Sequence, residues 1–239
     1  MMEKNIKLRF DSFKILLPII IYLFVITIAS YISNVIGIPY LINAIVEILF
    51  VVISVLILKR KKLILKYGLC VINPINYKKL LYFIPLVIMP ILNLIFGVYM
   101  NYSIQEIVLI IITMIGASFM EEILFRSHLV RNYEPFGKGY AIVLSSMIFS
   151  MFHLLNLTSS ANVLLTIIQL LSAFFIGLLF SSILIKTNTV IPCFICHSMI
   201  NVSNIFMNQK ISSINMLIIY SINILISLAY TIYIHSNYN

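Results

Sequence analysis

The stretch VLIIITMIGASFMEEILFR, Val108 to Arg126, decides how the chain is read. A long uncharged run ends abruptly in two adjacent glutamates and an arginine. A helix through this run enters hydrocarbon, and there a charged side chain costs about 2.5–3.5 kcal/mol on insertion scales. Glu121, Glu122 and Arg126 therefore need partners, a cavity, or an exit to the membrane surface.

The rest of the chain supports the membrane reading. Of 239 residues, 62% are apolar and 10% charged, and the mean hydropathy is +1.11. Soluble domains carry about 25% charge. Apolar runs recur at the length, about 18 residues or more, that crosses roughly 30 Å of hydrocarbon as a helix. In lipid every backbone polar group is satisfied within the fold, so the runs read as helices. The sequence predicts an all-α, polytopic membrane helix bundle of about eight transmembrane helices. They fall near 14–36, 40–58, 80–100, 105–129, 140–157, 163–185, 190–207 and 214–234. Residues 1–239 form a single membrane domain with no visible repeat. The first span follows Lys4, Lys7, Arg9 and Lys14, as a signal peptide would, but its apolar core exceeds the usual h-region of about 7–15 residues. It is expected to be an uncleaved anchor.

Lysines and arginines orient the bundle. With the N-terminus in the cytoplasm and eight alternating spans, fifteen of the sixteen lysines and arginines fall inside, including Lys59–Lys62 (KRKK), Arg131, Lys138 and Lys186. Only Lys210 falls outside. The chain is thus expected in the cell membrane with both termini cytoplasmic. The net charge of +9 is read as a topology signal, with KRKK beside anionic lipid headgroups. No basic stripe interleaved with exposed aromatics supports nucleic-acid binding.

Three helices carry polar residues at membrane depth. Glu122 and Arg126 are i,i+4, on one α-helical face, with the acid first, and form a self-neutralising pair. Glu121 lies about 100° around the helix and is poorly placed for the same guanidinium. One carboxylate is therefore paired and one unpaired, although both could simply mark the end of the helix. FSMFH places Phe149 and His153 on one face, and HSMIN does the same for His197 and Asn201. A lone buried histidine is commonly a hydrogen-bonded core residue, and Asn with His serves as glue between membrane helices. Together, a carboxylate, two imidazoles and an amide are also what is needed to activate water and stabilise an oxyanion. Glu47 in AIVEILF has no assigned role; it either pairs with a histidine or tyrosine or lies in the cavity. Cys193, Cys196 and His197 fit the short C-x-x-C-H haem pattern, but small apolar cysteines packed in a bundle is the favoured reading.

EEILFR fits E-E-x-x-x-R, FSMFH fits F-x-x-x-H and HSMIN fits H-x-x-x-N. Their order resembles the CPBP intramembrane proteases, which include type II CAAX prenyl endopeptidases and bacteriocin-processing or bacteriocin-immunity proteins. The resemblance covers about residues 105–205. It implies that Glu121 is the general base for water, that His153 helps hold that water, and that His197 and Asn201 form the oxyanion hole. Glu122 and Arg126 would brace the helix. The resemblance also raises a metal-dependent site, a zinc ion held by Glu121, His153 and His197, but a site with no cofactor is the favoured reading. No H-E-x-x-H supports that alternative. Expected partners are membrane lipids and a peptide or lipidated-protein substrate. The competing functions are a non-catalytic immunity or peptide-binding membrane protein and a small transporter, which would need inverted repeats and matching broken helices. The Ile-, Asn- and Lys-rich composition tilts the substrate towards bacteriocin-related peptides.

Overall fold

The computed structural model describes residues 2–70, 83–154, 163–208 and 210–237. Among them are eight helices, and the bundle is all-α. α1 (Met2–Ile36) and α2 (Leu41–Arg60) are joined by a tight turn in which Gly37 and Tyr40 take positive φ. α3 (Ile84–Leu92) is short. α4 (Ile104–Glu121) continues as a π-helix over Glu122–Val130 and ends in two short turns, Arg131–Tyr133 and Glu134–Phe136. α5 (Lys138–Phe152), α6 (Val163–Thr187), α7 (Ile191–Phe206) and α8 (Ser213–Asn237) complete it.

Five of these segments are long and apolar enough to cross a membrane, while α5 and α7 are shorter apolar helices. The expected third span, 80–100, is not one helix. Residues 80–82 lie outside the described residues, and α3 has nine residues, about 13 Å at 1.5 Å per residue. The chain then turns, with Gly97 at φ 107°. It runs extended beside the end of α7, where Tyr99 N–H donates to Phe206 O at 2.8 Å and Asn208 N–H to Gly97 O at 3.1 Å. The neighbouring chain, not a continuing helix, satisfies these backbone groups. Residues 155–157 of the expected fifth span also lie outside the described residues.

α4 starts where its sequence says it should. Ser103 accepts from Glu106 N–H while Glu106 accepts from Ser103 N–H at 2.8 Å, closing a capping box. Two glycines set how closely helices approach. A Cβ on Gly177 of α6 would lie 3.0 Å from Ser146 Cβ of α5, and one on Gly116 of α4 would lie 2.6 Å from Glu47 Cβ of α2. Close backbone approach through small residues is how helices associate in lipid, where burial of apolar surface gives no drive. Phe125, Leu129, Phe180, Ile183 and Leu184 are nearly inaccessible at the centre of the core.

The two ends of the bundle differ in charge. At one end, the segment after α2 meets the α6–α7 turn, with Val190 N–H donating to Gly68 O and Thr189 Oγ1 to Cys70 O, both at 2.9 Å. Arg131 reaches the same turn through Asn188 Oδ1 at 2.9 Å. Lys59–Lys62, Lys66, Arg131 and Lys186 therefore gather at one end, and Lys210 follows the Gly97–Asn208 contact at the other.

Candidate active site

Glu121 closes α4 and Glu122 opens the π-helix, so the two glutamates straddle a change of helical pitch. In a π-helix the backbone bonds run i→i+5, which widens the turn and shifts the angular relation of every following side chain. Tertiary contacts support the widened segment: Ser145 Oγ of α5 donates to Phe125 O at 2.7 Å, and Ser127 Oγ donates to Tyr67 O at 2.6 Å.

The ion pair that i,i+4 spacing predicts is present, but each partner also has a second contact. Arg126 Nε lies 3.5 Å from Glu122 Oε2 with both side chains buried, yet that contact is not a hydrogen bond, and none of the guanidinium nitrogens has a hydrogen-bond partner among the described residues. Arg126 also lies over the Phe149 ring, 3.9 Å from its centroid, with Phe180 at 5.5 Å. A desolvated guanidinium on an aromatic face gains about 2 kcal/mol. Glu122 gives its Oε1 to His197, whose Nδ1 is 2.8 Å away. Glu121 is not free either: its Oε2 is 3.5 Å from His197 Nε2. The imidazole stands between the two carboxylates, with Phe149 and Phe180 packed around it. The carboxylates differ in access, with 27% of the Glu121 side chain exposed against 1% of Glu122.

His153 caps the end of α5. Its Nδ1 lies 3.4 Å from Phe149 O, its ring packs edge-on against Phe149, and Nε2 has no partner among the described residues. Asn201 Nδ2 donates to Ser118 Oγ at 3.0 Å, one turn before Glu122 on α4. His153, His197 and Asn201 line one small cavity of about 60 Å³. Glu121 does not line it and joins the group through His197. His197 lies six residues into α7, about 9 Å from the basic end of the bundle.

The segment that holds all of these motifs, residues 103–203, matches a family model described as type II CAAX prenyl endopeptidase Rce1-like. The chain is similar to that family over this segment. No curated protein and no solved structure matches the chain. The family indicates a protease acting on a peptide or protein, and with five long apolar helices the chain is a multi-pass membrane protein.

Around the Rce1-like motifs the structure adds residues that motif spacing does not reveal. Ser118 and Phe180 sit in apolar runs that give no signal. Asn93, just after α3, and Tyr220 and Asn223 of α8 line the cavity together with the histidines from outside the matched segment. Between α3, α4 and α7 lies a second, apolar groove of about 510 Å³, lined by residues such as Pro90, Leu94, Ile115, Met199 and Phe206. Ser198, next to His197, reaches that groove.

Glu47 pairs with a tyrosine: Tyr22 O–H donates to its Oε1 at 2.7 Å, and the carboxylate is buried against Gly116. Cys193 and Cys196 are packed core residues, the former donating weakly to Phe180 O. The zinc set of Glu121, His153 and His197 does not come together. Among the described residues no three His, Cys, Asp or Glu side chains are placed to hold one metal ion. His197 turns Nδ1 to Glu122, and His153 turns Nδ1 back to its own helix.

Proposed function

We propose that the chain is an intramembrane endopeptidase that hydrolyses a peptide bond of a membrane-associated, lipidated or prenylated protein or peptide, using water activated by a glutamate. The observation that carries this reading is the imidazole of His197 held between one buried and one accessible carboxylate, beside a cavity shared with His153 and Asn201.

Glu121, the accessible carboxylate, takes a proton from water that His153 Nε2 helps to hold. The hydroxide oxygen bonds to the carbonyl carbon, and the C=O π pair moves onto oxygen. Asn201 Nδ2 has one N–H committed to Ser118 and a second for this oxyanion. His197 donates from Nε2. Its Nδ1 is held by Glu122, so donation from both nitrogens needs a doubly protonated ring, whose single charge the Glu122 carboxylate balances once Glu121 has taken the water proton. The tetrahedral intermediate then breaks its C–N bond, and Glu121 returns the proton to the leaving amine. Fixed donors of this kind contribute about 10²–10³ in rate each. The apolar groove beside α7 is of the size of small-ligand sites, about 300–1,000 Å³, and suits a hydrocarbon tail on the substrate.

The test uses purified protein in liposomes with one peptide presented prenylated and unprenylated. Wild type is expected to cleave the prenylated form, and Glu121→Gln to lower kcat by about 10²–10⁴. Normal cleavage by Glu121→Gln beside a stable, inert Glu122→Gln would exchange the two roles. Tight binding without cleavage by wild type would replace the protease with a peptide-binding or immunity protein. We place the basic end, and with it both termini, in the cytoplasm; a reporter fused after Asn239 is expected to be active only inside, and activity outside reverses the topology.

A further inference from the structure

The small cavity has lining residues that the hydrolytic reading does not use. Besides His153, His197 and Asn201, its lining includes Asn93, Asn204, Tyr220 and Asn223. These are neutral amides and a phenol, and no Asp, Glu, Lys or Arg lines the cavity. Asn223 is the telling residue. It sits in the apolar run IIYSINILISL of α8, is 4% exposed, and its Oδ1 has no hydrogen-bond partner among the described residues. Asn93, 3% exposed, is held in place by donating Nδ2 to Ser203 Oγ at 2.8 Å and to Ile200 O at 3.4 Å. Buried amides in an apolar bundle are destabilising unless something answers their polar atoms.

Size decides what that is. The cavity measures about 60 Å³, against about 510 Å³ for the apolar groove. The smaller volume has room for a few waters and none for a lipid tail. A cavity holds water when it is polar and offers each water two to four partners, and this one supplies amides, a phenol and two imidazoles.

We propose that this chamber stores water that resupplies hydrolysis at the neighbouring Glu121, and that Asn223 holds the reserve. The proposal rests on the hydrolytic reading of the site. A hydrolase embedded in lipid uses one water per bond cleaved, and this is a polar cavity that His153 lines among the described residues. Asn93, Tyr220 and Asn223 thus give α3 and α8, which lie outside the family segment, a direct part in the chemistry: they resupply it.

The experiment replaces Asn223 with Leu, of similar size but without hydrogen bonds, and with Ser, which keeps a polar group. Chamber water is read by radiolytic hydroxyl labelling of the Tyr220 ring in ¹⁸O water, in wild type and in the Glu121→Gln background, where no turnover is needed. Thermal melting confirms folding. Asn223→Leu is expected to abolish Tyr220 labelling and to lower kcat about tenfold at unchanged KM, because losing a fixed bridging water removes its hydrogen bonds. Asn223→Ser is expected to keep both. Tyr220 labelling that survives Asn223→Leu overturns the proposal. So does an Asn223→Leu enzyme with normal kcat but raised KM or altered preference for residues flanking the scissile bond, since the cavity is then a substrate subsite. If wild type cleaves nothing while Asn223→Leu still abolishes labelling, the chamber stands and the protease reading falls.

Discussion

The bundle buries acid in two places, and the two places are built differently. Glu47 is enclosed by α1, α2 and α4: Tyr22 gives it one hydrogen bond, and Gly116 leaves it just enough room. Its contacts stop there, and it lines no described cavity. Glu122 is just as buried, but it holds an imidazole that touches a second, accessible carboxylate and opens onto the polar chamber. Depth is therefore equal in the two, and connection to a polar cavity separates them. A buried carboxylate is a reason to look for a site. What it is bonded to decides whether it has found one.

That distinction breaks or sharpens under substitution. The largest effect is expected at Glu122. Glu122→Gln leaves Arg126 buried without its counter-charge, and breaking a buried pair costs about 3–5 kcal/mol. It also releases His197 from its orientation, so folded yield, melting temperature and activity per folded molecule should all fall. Adding Arg126→Met should recover part of the yield and none of the activity, because the hold on His197 stays lost. If the double variant cleaves normally, Glu122 acts only as a neutraliser and the two acid sites are the same kind of thing.

A smaller effect is expected around Glu47. Gly116→Ala places a Cβ 2.6 Å from Glu47 Cβ. Such overpacking costs typically about 1–3 kcal/mol. The melting temperature should drop while cleavage per folded molecule stays at the wild-type level. A fall in activity per folded molecule would show that the Glu47 layer communicates with the site after all.

Hydropathy and motif spacing carried the reading a long way, and the failures are specific. The helices and the triplet of motifs follow from apolar run length and i,i+4 placement, which are local properties. The run LYFIPLVIMPILNLIFGVYM is apolar throughout, so nothing in its composition shows that α3 stops at Leu92 and gives way to backbone pairing with α7. The Arg126–Glu122 ion pair follows from i,i+4 placement, but the hold of Glu122 on His197 does not. The π-helix that carries both residues is supported from outside by Ser145 on Phe125 O, an interaction between elements twenty residues apart. Asn93 and Asn223 escaped notice for a related reason: one asparagine in an apolar helix carries no periodicity, and only the packed bundle shows that two of them face the same space.

The shortness of α7 has a consequence for the lipid. Its sixteen residues span about 24 Å, and α3 beside it about 13 Å, against a hydrocarbon thickness near 30 Å. A helix shorter than the bilayer is accommodated by local thinning, at a fraction of a kcal/mol per ångström. Thinning is therefore expected on the side where α7 flanks the apolar groove. Under the proposed protease reading, a lipid-bound segment diffusing in the leaflet would then meet the groove where the barrier between headgroups and His197 is at its thinnest.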